Sequence, residues 1–328
     1  MTESTQALAP PVAALSFEQT VPCSVAHRRA LGEVFVADSA AGPDGDVFLA
    51  LQLPRAHTLW FDRTTPFHDT FSVAEAARQG SFVALHRHLG VPVGLPFTLQ
   101  RFEFAVADLE CYRDSGTAPL EGILRYTVAD RADRGTDFSE MRLRGEVTVG
   151  GRPAMTIDAD VVFLARDDYA ALRRFQLSRK PAGEPFTPPP PFPPELVGRL
   201  DRRNVVVGDS PVASEGGEAR FAFVVDRTHP SFFDHDYDHV PGPFIVEGFR
   251  QAALVTAVRT GAAASPLMAV TGCATRFTNF GEFDSLLECT ADVGEVTAEG
   301  AVTVEVGLHQ FGKRLAEGRV ELTPLPER

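Results

Sequence analysis

The same unusual helix is written twice in this chain. SVAEAARQGSFVALHRHL (Ser72–Leu89) and PFIVEGFRQAALVTAVRTG (Pro243–Gly261) are apolar in nearly every helical direction, yet each carries Glu-x-x-Arg-Gln. A helix apolar all round is buried all round, and residues at i, i+3 and i+4 share one face. Any fold must therefore enclose two helices, each with a carboxylate that is paired or raised in pKa. Further landmarks recur in the same order. HRRALGEVFVAD (His27–Asp38) answers RLDRRNVVVGD (Arg199–Asp209), FDRTTP (Phe61–Pro66) answers VDRTHP (Val225–Pro230), and LQRFEF around Arg101 answers ATRFTNF around Arg276. Repetition on this scale reads as one α+β unit present in two copies.

The copies are separated by KPAGEPFTPPPPFPP (Lys180–Pro194), where proline excludes helix and favours an extended spacer. The predicted organisation is a disordered leader over 1–20, a first domain over 21–179, a linker over 180–198 and a second domain over 199–328. In 328 residues each domain can bury a core of its own. Alternating segments predict strands at Leu31–Ala37, Val47–Leu53, Leu99–Ala107, Gly122–Val128, Met141–Val149 and Met155–Leu164. The second copy offers Val205–Val207, Ala219–Val225, Leu267–Ala274, Leu286–Val293, Ala301–Leu308 and Arg314–Leu322. Several strands per long apolar helix imply an antiparallel sheet wrapped around that helix.

A formal charge of −13 argues against nucleic acid, which is bound by clustered cations. The longest apolar stretch, Phe244–Ala264, is interrupted by Glu247, Arg250 and Arg259, so no membrane span is expected. Cys23, Cys111, Cys273 and Cys289 form no CxxC pair, and the N-terminus has no basic segment followed by an apolar run; both observations favour the cytoplasm. A basic patch is expected at Arg173, Arg174, Arg179 and Lys180, continuing at Arg199, Arg202 and Arg203. It is either solvated surface or a docking site for an acidic partner.

The loops before the two helices differ under this alignment. Asp62 to Glu75 is 13 positions and Asp226 to Glu247 is 21, so the second loop is expected to be longer by 8 residues and to hold SFFDHDYDHVPG. His235 and His239 there are four apart, which allows a metal reading, but Pro241 and Gly242 follow at once and favour a turn. No metal and no cofactor are expected. Ser72 and Glu75 also have capping-box spacing, a structural alternative for Glu75. The chain contains no Gly-x-Ser-x-Gly elbow, no Gly-rich phosphate loop and no recognisable cysteine nucleophile, so transfer without a covalent enzyme intermediate is the simpler chemistry.

VPGPFIVEGFRQ (Val240–Gln251) resembles the start of the central helix in hotdog-fold β-hydroxyacyl carrier-protein dehydratases, with Glu247 on their catalytic Glu. The HR…EVFVAD opening, both Glu-x-x-Arg-Gln helices, the DHDYDHVPG loop and the tandem arrangement together resemble the A-factor biosynthesis hotdog family over nearly the whole chain. That resemblance implies a tandem double hotdog. It also implies an acyltransferase joining a β-ketoacyl group from an acyl carrier protein thioester to dihydroxyacetone phosphate, on the way to a γ-butyrolactone-type, butenolide or furan signal. Glu75 or Glu247 would be the general base, with Arg250 and Arg78 on the phosphate. Gly242 would polarise the thioester through backbone N–H groups, and Gln79, Gln251, His235 and His239 would bind substrate. The first copy lacks Pro-Gly before its helix, so a composite site of Glu75 with Arg250 is expected. The alternatives are a hotdog dehydratase or thioesterase, and a non-catalytic acyl-ligand binding protein.

Overall fold

A computed structural model describes residues 11–63, 65–133, 138–181, 186–212 and 219–325. The first half contains strands β1 (Val36–Ala41), β2 (Val47–Leu53), β3 (Phe97–Val106), β4 (Leu120–Asp133), β5 (Phe138–Val149) and β6 (Arg152–Leu164). Helix α1 (Thr70–Val83) lies between β2 and β3, and α2 (Arg166–Ser178) follows β6. The second half contains β7 (Val207–Asp209), β8 (Ala219–Phe223), α3 (Gly242–Arg259), β9 (Met268–Phe277), β10 (Glu288–Val296), β11 (Val302–Gln310) and β12 (Lys313–Pro324). Each expected strand has a counterpart. The first begins at Val36 rather than Leu31 because Leu31–Glu33 closes a 3-10 turn, with Val34 N donating to Leu31 O at 3.1 Å. Helix α2 has no counterpart among the expected elements.

All twelve strands join one antiparallel sheet in the order β1-β2-β4-β5-β6-β3-β9-β12-β11-β10-β8-β7. Read from either end, the order is the same once β7 to β12 are set against β1 to β6. The halves meet at β3 and β9, where Arg101 faces Arg276 and Ala105 faces Gly272.

Helix α1 packs on β1, β2 and β4, and α3 packs on β10, β11 and β12. In α1 only Arg78 escapes burial, and in α3 every residue from Phe244 to Ala257 is buried. Each fully buried Phe or Leu, such as Phe249 and Leu254, contributes roughly 1.5–3 kcal/mol, which is what holds so apolar a helix in place. Gly248 has no room for a side chain, because the Phe223 ring lies against its α-carbon. The start of α1 corrects one expectation. Asp69 is the N-cap, accepting from Phe71 N at 3.0 Å, and Ser72 lies inside the helix with its hydroxyl donating to Asp69 O at 2.5 Å. No Ser72–Glu75 capping box forms.

Residues 1–10 of the expected leader and 182–185 of the expected linker lie outside the described residues. Residues 11–20 run beside β1, with Ser16 N donating to the Asp38 carboxylate at 3.2 Å. Further along the linker, Phe192 N donates to Val207 O at 3.0 Å, and the Phe192 ring is buried against Phe221. Among the described residues no helix is long and apolar enough to cross a membrane.

Candidate active site

Glu75 of α1 and Glu247 of α3 are each gripped by two arginines and a glutamine. At Glu75, Arg78 donates from Nε to Oε2 (2.7 Å) and from Nη2 to Oε1 (2.9 Å), and Gln79 Nε2 donates to Oε1 (2.9 Å). Arg28 completes this group with a short ion pair to Oε1. At Glu247, Arg250 donates from Nε to Oε2 (2.9 Å) and from Nη2 to Oε1 (2.7 Å), and Gln251 Nε2 donates to Oε1 (2.5 Å). Arg199 adds bonds from Nε (3.2 Å) and Nη2 (3.0 Å). The helix spacing brings three members of each group together, and the fourth comes from the segment leading into the first strand of its half. The glutamines explain that approach. Gln79 accepts from Phe35 N (2.8 Å) and donates to Glu33 O (2.8 Å), while Gln251 accepts from Val206 N (2.9 Å) and donates to Asn204 O (2.7 Å). Both amides therefore lace chain to helix, which corrects the expectation that they orient substrate.

The fourth arginine of each group also crosses into the other half. Arg28 Nη1 donates to Ser231 O and Asp234 Oδ1, both at 3.3 Å. Arg199 Nη1 donates to Leu59 O (2.9 Å) and Asp62 O (3.1 Å) and lies 3.3 Å from Asp69 Oδ2. These contacts make Asp62 equivalent to Asp234, so the true repeat is HTLWFD (His57–Asp62) against HPSFFD (His229–Asp234). In it, His57 Nδ1 accepts from Leu59 N and Trp60 N, and His229 Nδ1 accepts from Ser231 N and Phe232 N. Asp62 and Asp234 both stand 13 positions before their glutamate. The expected 8-residue excess came from matching FDRTTP with VDRTHP, and the structure removes it.

Burial alone would push both glutamates up. The charges of Arg28 and Arg78 on Glu75, and of Arg199 and Arg250 on Glu247, outweigh it together with the hydrogen bonds and hold each near 2. A carboxylate so engaged is a poor proton acceptor, which weighs against the expectation that Glu75 or Glu247 is the general base. The consequence for folding has a definite sign. A depressed carboxylate stabilises the fold fully above its ordinary value of about 4.5 and loses that contribution as pH falls toward 2. Urea midpoints are therefore expected to fall steadily between about pH 5 and pH 2.5. A flat profile there would contradict the ion-paired description.

The space beside the two groups differs. A cavity of about 350 Å³ opens next to Arg78, whereas the equivalent void next to Arg250 measures about 50 Å³. The loop before α1 fills the latter: Arg63 donates to Thr65 O (2.8 Å), Phe67 O (2.6 Å) and Asp114 (2.6 Å), closing the loop with Phe67 and His68 buried. Arg250 thus faces the filled side, and the expected pairing of Glu75 with Arg250 is not formed. What the large cavity brings together is Arg78 from the first half with His235, Tyr237, His239 and Gly242 from the second. A small apolar void of about 30 Å³, sharing part of the same wall, runs on between Ala74 of α1 and Val246 of α3.

Each polar group on this wall is preset. Arg78 engages Glu75 through Nε and Nη2, which leaves Nη1 for a ligand, and its guanidinium lies over the Phe82 ring. His235 Nδ1 is 2.6 Å from Asp234 Oδ1, a buried carboxylate that also receives Arg29 N at 2.9 Å. With Asp234 ionised, Nδ1 is the donor in this bond, so in the neutral ring Nε2 is the free acceptor. His239 Nδ1 is likewise 2.6 Å from Asp238, itself bonded by Tyr169 and Arg173. The two histidines are held by different aspartates, and among the described residues no group of three His, Cys, Asp or Glu is arranged to hold a metal ion. Gly242 opens α3, so its N–H has no intrahelical acceptor and lies at the positive end of the helix dipole.

Sequence reasoning missed His27, which lines the cavity, stacks on Phe82 at 4.3 Å and approaches His86 Nε2 to 2.6 Å. Burial, with the charge of nearby His86 and Arg78, pushes its imidazole down to about 3. Its backbone is left-handed (φ 52°), and the equivalent residue of the second half is Gly198 (φ 67°). A histidine where the twin uses glycine was the available signal. The basic patch also needs correction: Arg173 and Arg199 are buried in ion pairs and Lys180 is paired with Glu282, leaving Arg174, Arg179, Arg202 and Arg203 exposed.

Known proteins bear on this arrangement. The chain is 31% identical over 306 residues, 90% of both lengths, to a 2-oxo-3-(phosphooxy)propyl 3-oxoalkanoate synthase from Streptomyces coelicolor. A protein of the same description from Streptomyces griseus is 31% identical over 264 residues, 80% of this chain and 81% of that one. In fold, it is similar to a Lactobacillus plantarum protein assigned as an oleoyl thioesterase (TM-score 0.50, 12% identity, 85% of this chain and 97% of that one). The model of the A-factor biosynthesis hotdog domain matches residues 11–165 and again 184–326, one match for each half of the palindromic sheet. Two matches that between them take in both glutamate groups and most of the cavity wall leave no doubt of kinship: the chain belongs to the A-factor biosynthesis hotdog family.

Proposed function

We propose that this protein transfers a 3-oxoacyl group from an acyl carrier protein thioester to the hydroxyl of dihydroxyacetone phosphate, giving a 2-oxo-3-(phosphooxy)propyl 3-oxoalkanoate. The observation that carries the reading is the cavity of about 350 Å³ in which a ligand-ready arginine, an aspartate-held histidine and a helix N-terminus converge. Each half is a hotdog unit, 21–179 and 199–328, with α1 and α3 as the central helices and 180–198 as the joining segment. The protein works in the cytoplasm, in keeping with its free cysteines Cys23, Cys111, Cys273 and Cys289.

Arg78 Nη1 takes the phosphate, and Glu75 with Arg28 fixes its guanidinium plane. His235 Nε2 accepts the proton of the substrate hydroxyl as the oxygen attacks the thioester carbonyl. The Gly242 N–H meets the developing oxyanion. The C–S bond then breaks, and the proton held by His235 passes to the departing thiolate. The acyl chain lies along the apolar void between α1 and α3, and His239 borders the entry. Glu247, Arg250 and Gln251 form the matching group of the filled half and hold the fold.

The test is incubation of the purified chain with a 3-oxoacyl carrier protein and dihydroxyacetone phosphate, followed by mass spectrometry. The expected products are the phosphorylated ester and free carrier thiol in equal amounts. Release of the free 3-oxo acid with no ester would instead establish a thioesterase, and a dehydrated acyl chain a dehydratase.

A further inference from the structure

Among the described residues α2 is the α-helix without a partner in the other half, and its two faces do different things. Its inner face closes the cavity: Leu172 and Gln176 line it, and Arg173 is bonded to Asp238 and Glu282 of the second half. The Phe280 ring is clasped there by Arg173 (4.7 Å) and His239 (4.4 Å). Its outer face carries Ala171, Arg174, Phe175 and Ser178, the i, i+3, i+4 and i+7 positions of one stripe, all exposed. Phe175 is 54% and Leu177 48% accessible, high for large apolar side chains beside a cavity. Arg179 lies over the Phe175 ring at 4.3 Å, and with Arg174 it makes the end of the stripe basic in a chain of net charge −13.

We propose that the outer face of α2 is the docking surface for an acidic carrier protein, which delivers its acyl thioester arm over α2 into the cavity. The inference rests on the acyl-transfer reading and names where the donor binds. An aromatic anchor flanked by two arginines is the composition of an energetic centre in a protein interface. The basic pair complements an acidic partner and repels other cations. The bolt through Arg173 places that surface at a fixed distance from the cavity mouth, as a tethered thioester requires.

The experiment compares two donors in the full chain: a 3-oxoacyl carrier protein and the same acyl group on N-acetylcysteamine, which has no protein to dock. A variant with Arg174→Glu, Phe175→Ser and Arg179→Glu is expected to raise KM for the carrier-bound donor by at least about tenfold. Transfer from the small thioester should stay within about twofold, because none of the three residues lines the cavity. KM for the carrier-bound donor should also rise with salt in the unaltered protein. Equal loss with both donors, or no change with either, would overturn the docking surface. Transfer from the small thioester by the unaltered protein tests the acyl-transfer reading independently.

Discussion

Glu247→Ala is expected to lower the unfolding free energy by about 3–5 kcal/mol, the loss seen when one partner of a buried ion group is removed. The Glu247 side chain is 1% accessible and the Arg199 and Arg250 side chains 1% and 7%, so the deletion leaves two desolvated guanidiniums facing each other. The void of about 50 Å³ that Arg199 and Arg250 line admits little water to take the carboxylate's place. Arg199 keeps Asp69 at 3.3 Å and two carbonyls, which limits the loss to this range. For a chain of this length the change corresponds to a Tm lower by roughly 5 °C. Urea unfolding at neutral pH measures it directly, and a loss under about 1 kcal/mol would mean that the group is not the internal brace described here.

His235→Ala is expected to lower kcat by about 10²- to 10⁴-fold, the range for loss of a positioned general base. KM for dihydroxyacetone phosphate should change little, since Arg78 remains on its Glu75 support. His239→Ala is the informative control. Its Asp238 partner is half-exposed and already bonded by Tyr169 and Arg173, so the ring can leave without exposing a buried charge. A less than tenfold effect on kcat is expected there. Equal losses at the two positions, or retention of turnover by His235→Ala, would move the base elsewhere on the wall.

Much of this architecture was readable in advance, and the reasons are local. Period-two alternation marked ten of the twelve strands well and β1 and β7 only at their first residues, and helices apolar on every face could only be buried, so α1 and α3 followed with their Glu-x-x-Arg-Gln register. The partners that complete the groups were not readable. Arg28 and Arg199 lie 47 and 48 residues before their glutamates, and only the folded path of the chain brings them there. Arg199 even looked like surface charge. The loop register failed for a different reason. Asp-Arg-Thr is a common turn composition and made a stronger visual match than His57 and His229, whose shared task of capping the following backbone appears only in three dimensions. Which half keeps its cavity was equally hidden, because it depends on how Arg63 folds its own loop.

The palindromic strand order has an implication for design. In a pair of identical subunits every substitution occurs twice, so a change that helps one copy of a site is imposed on the other. A single chain escapes that coupling: Thr70 stands where the other half has Gly242, and His27 where it has Gly198. One side can be rigid and full while the other stays open, as the voids of about 50 and 350 Å³ beside Arg250 and Arg78 are.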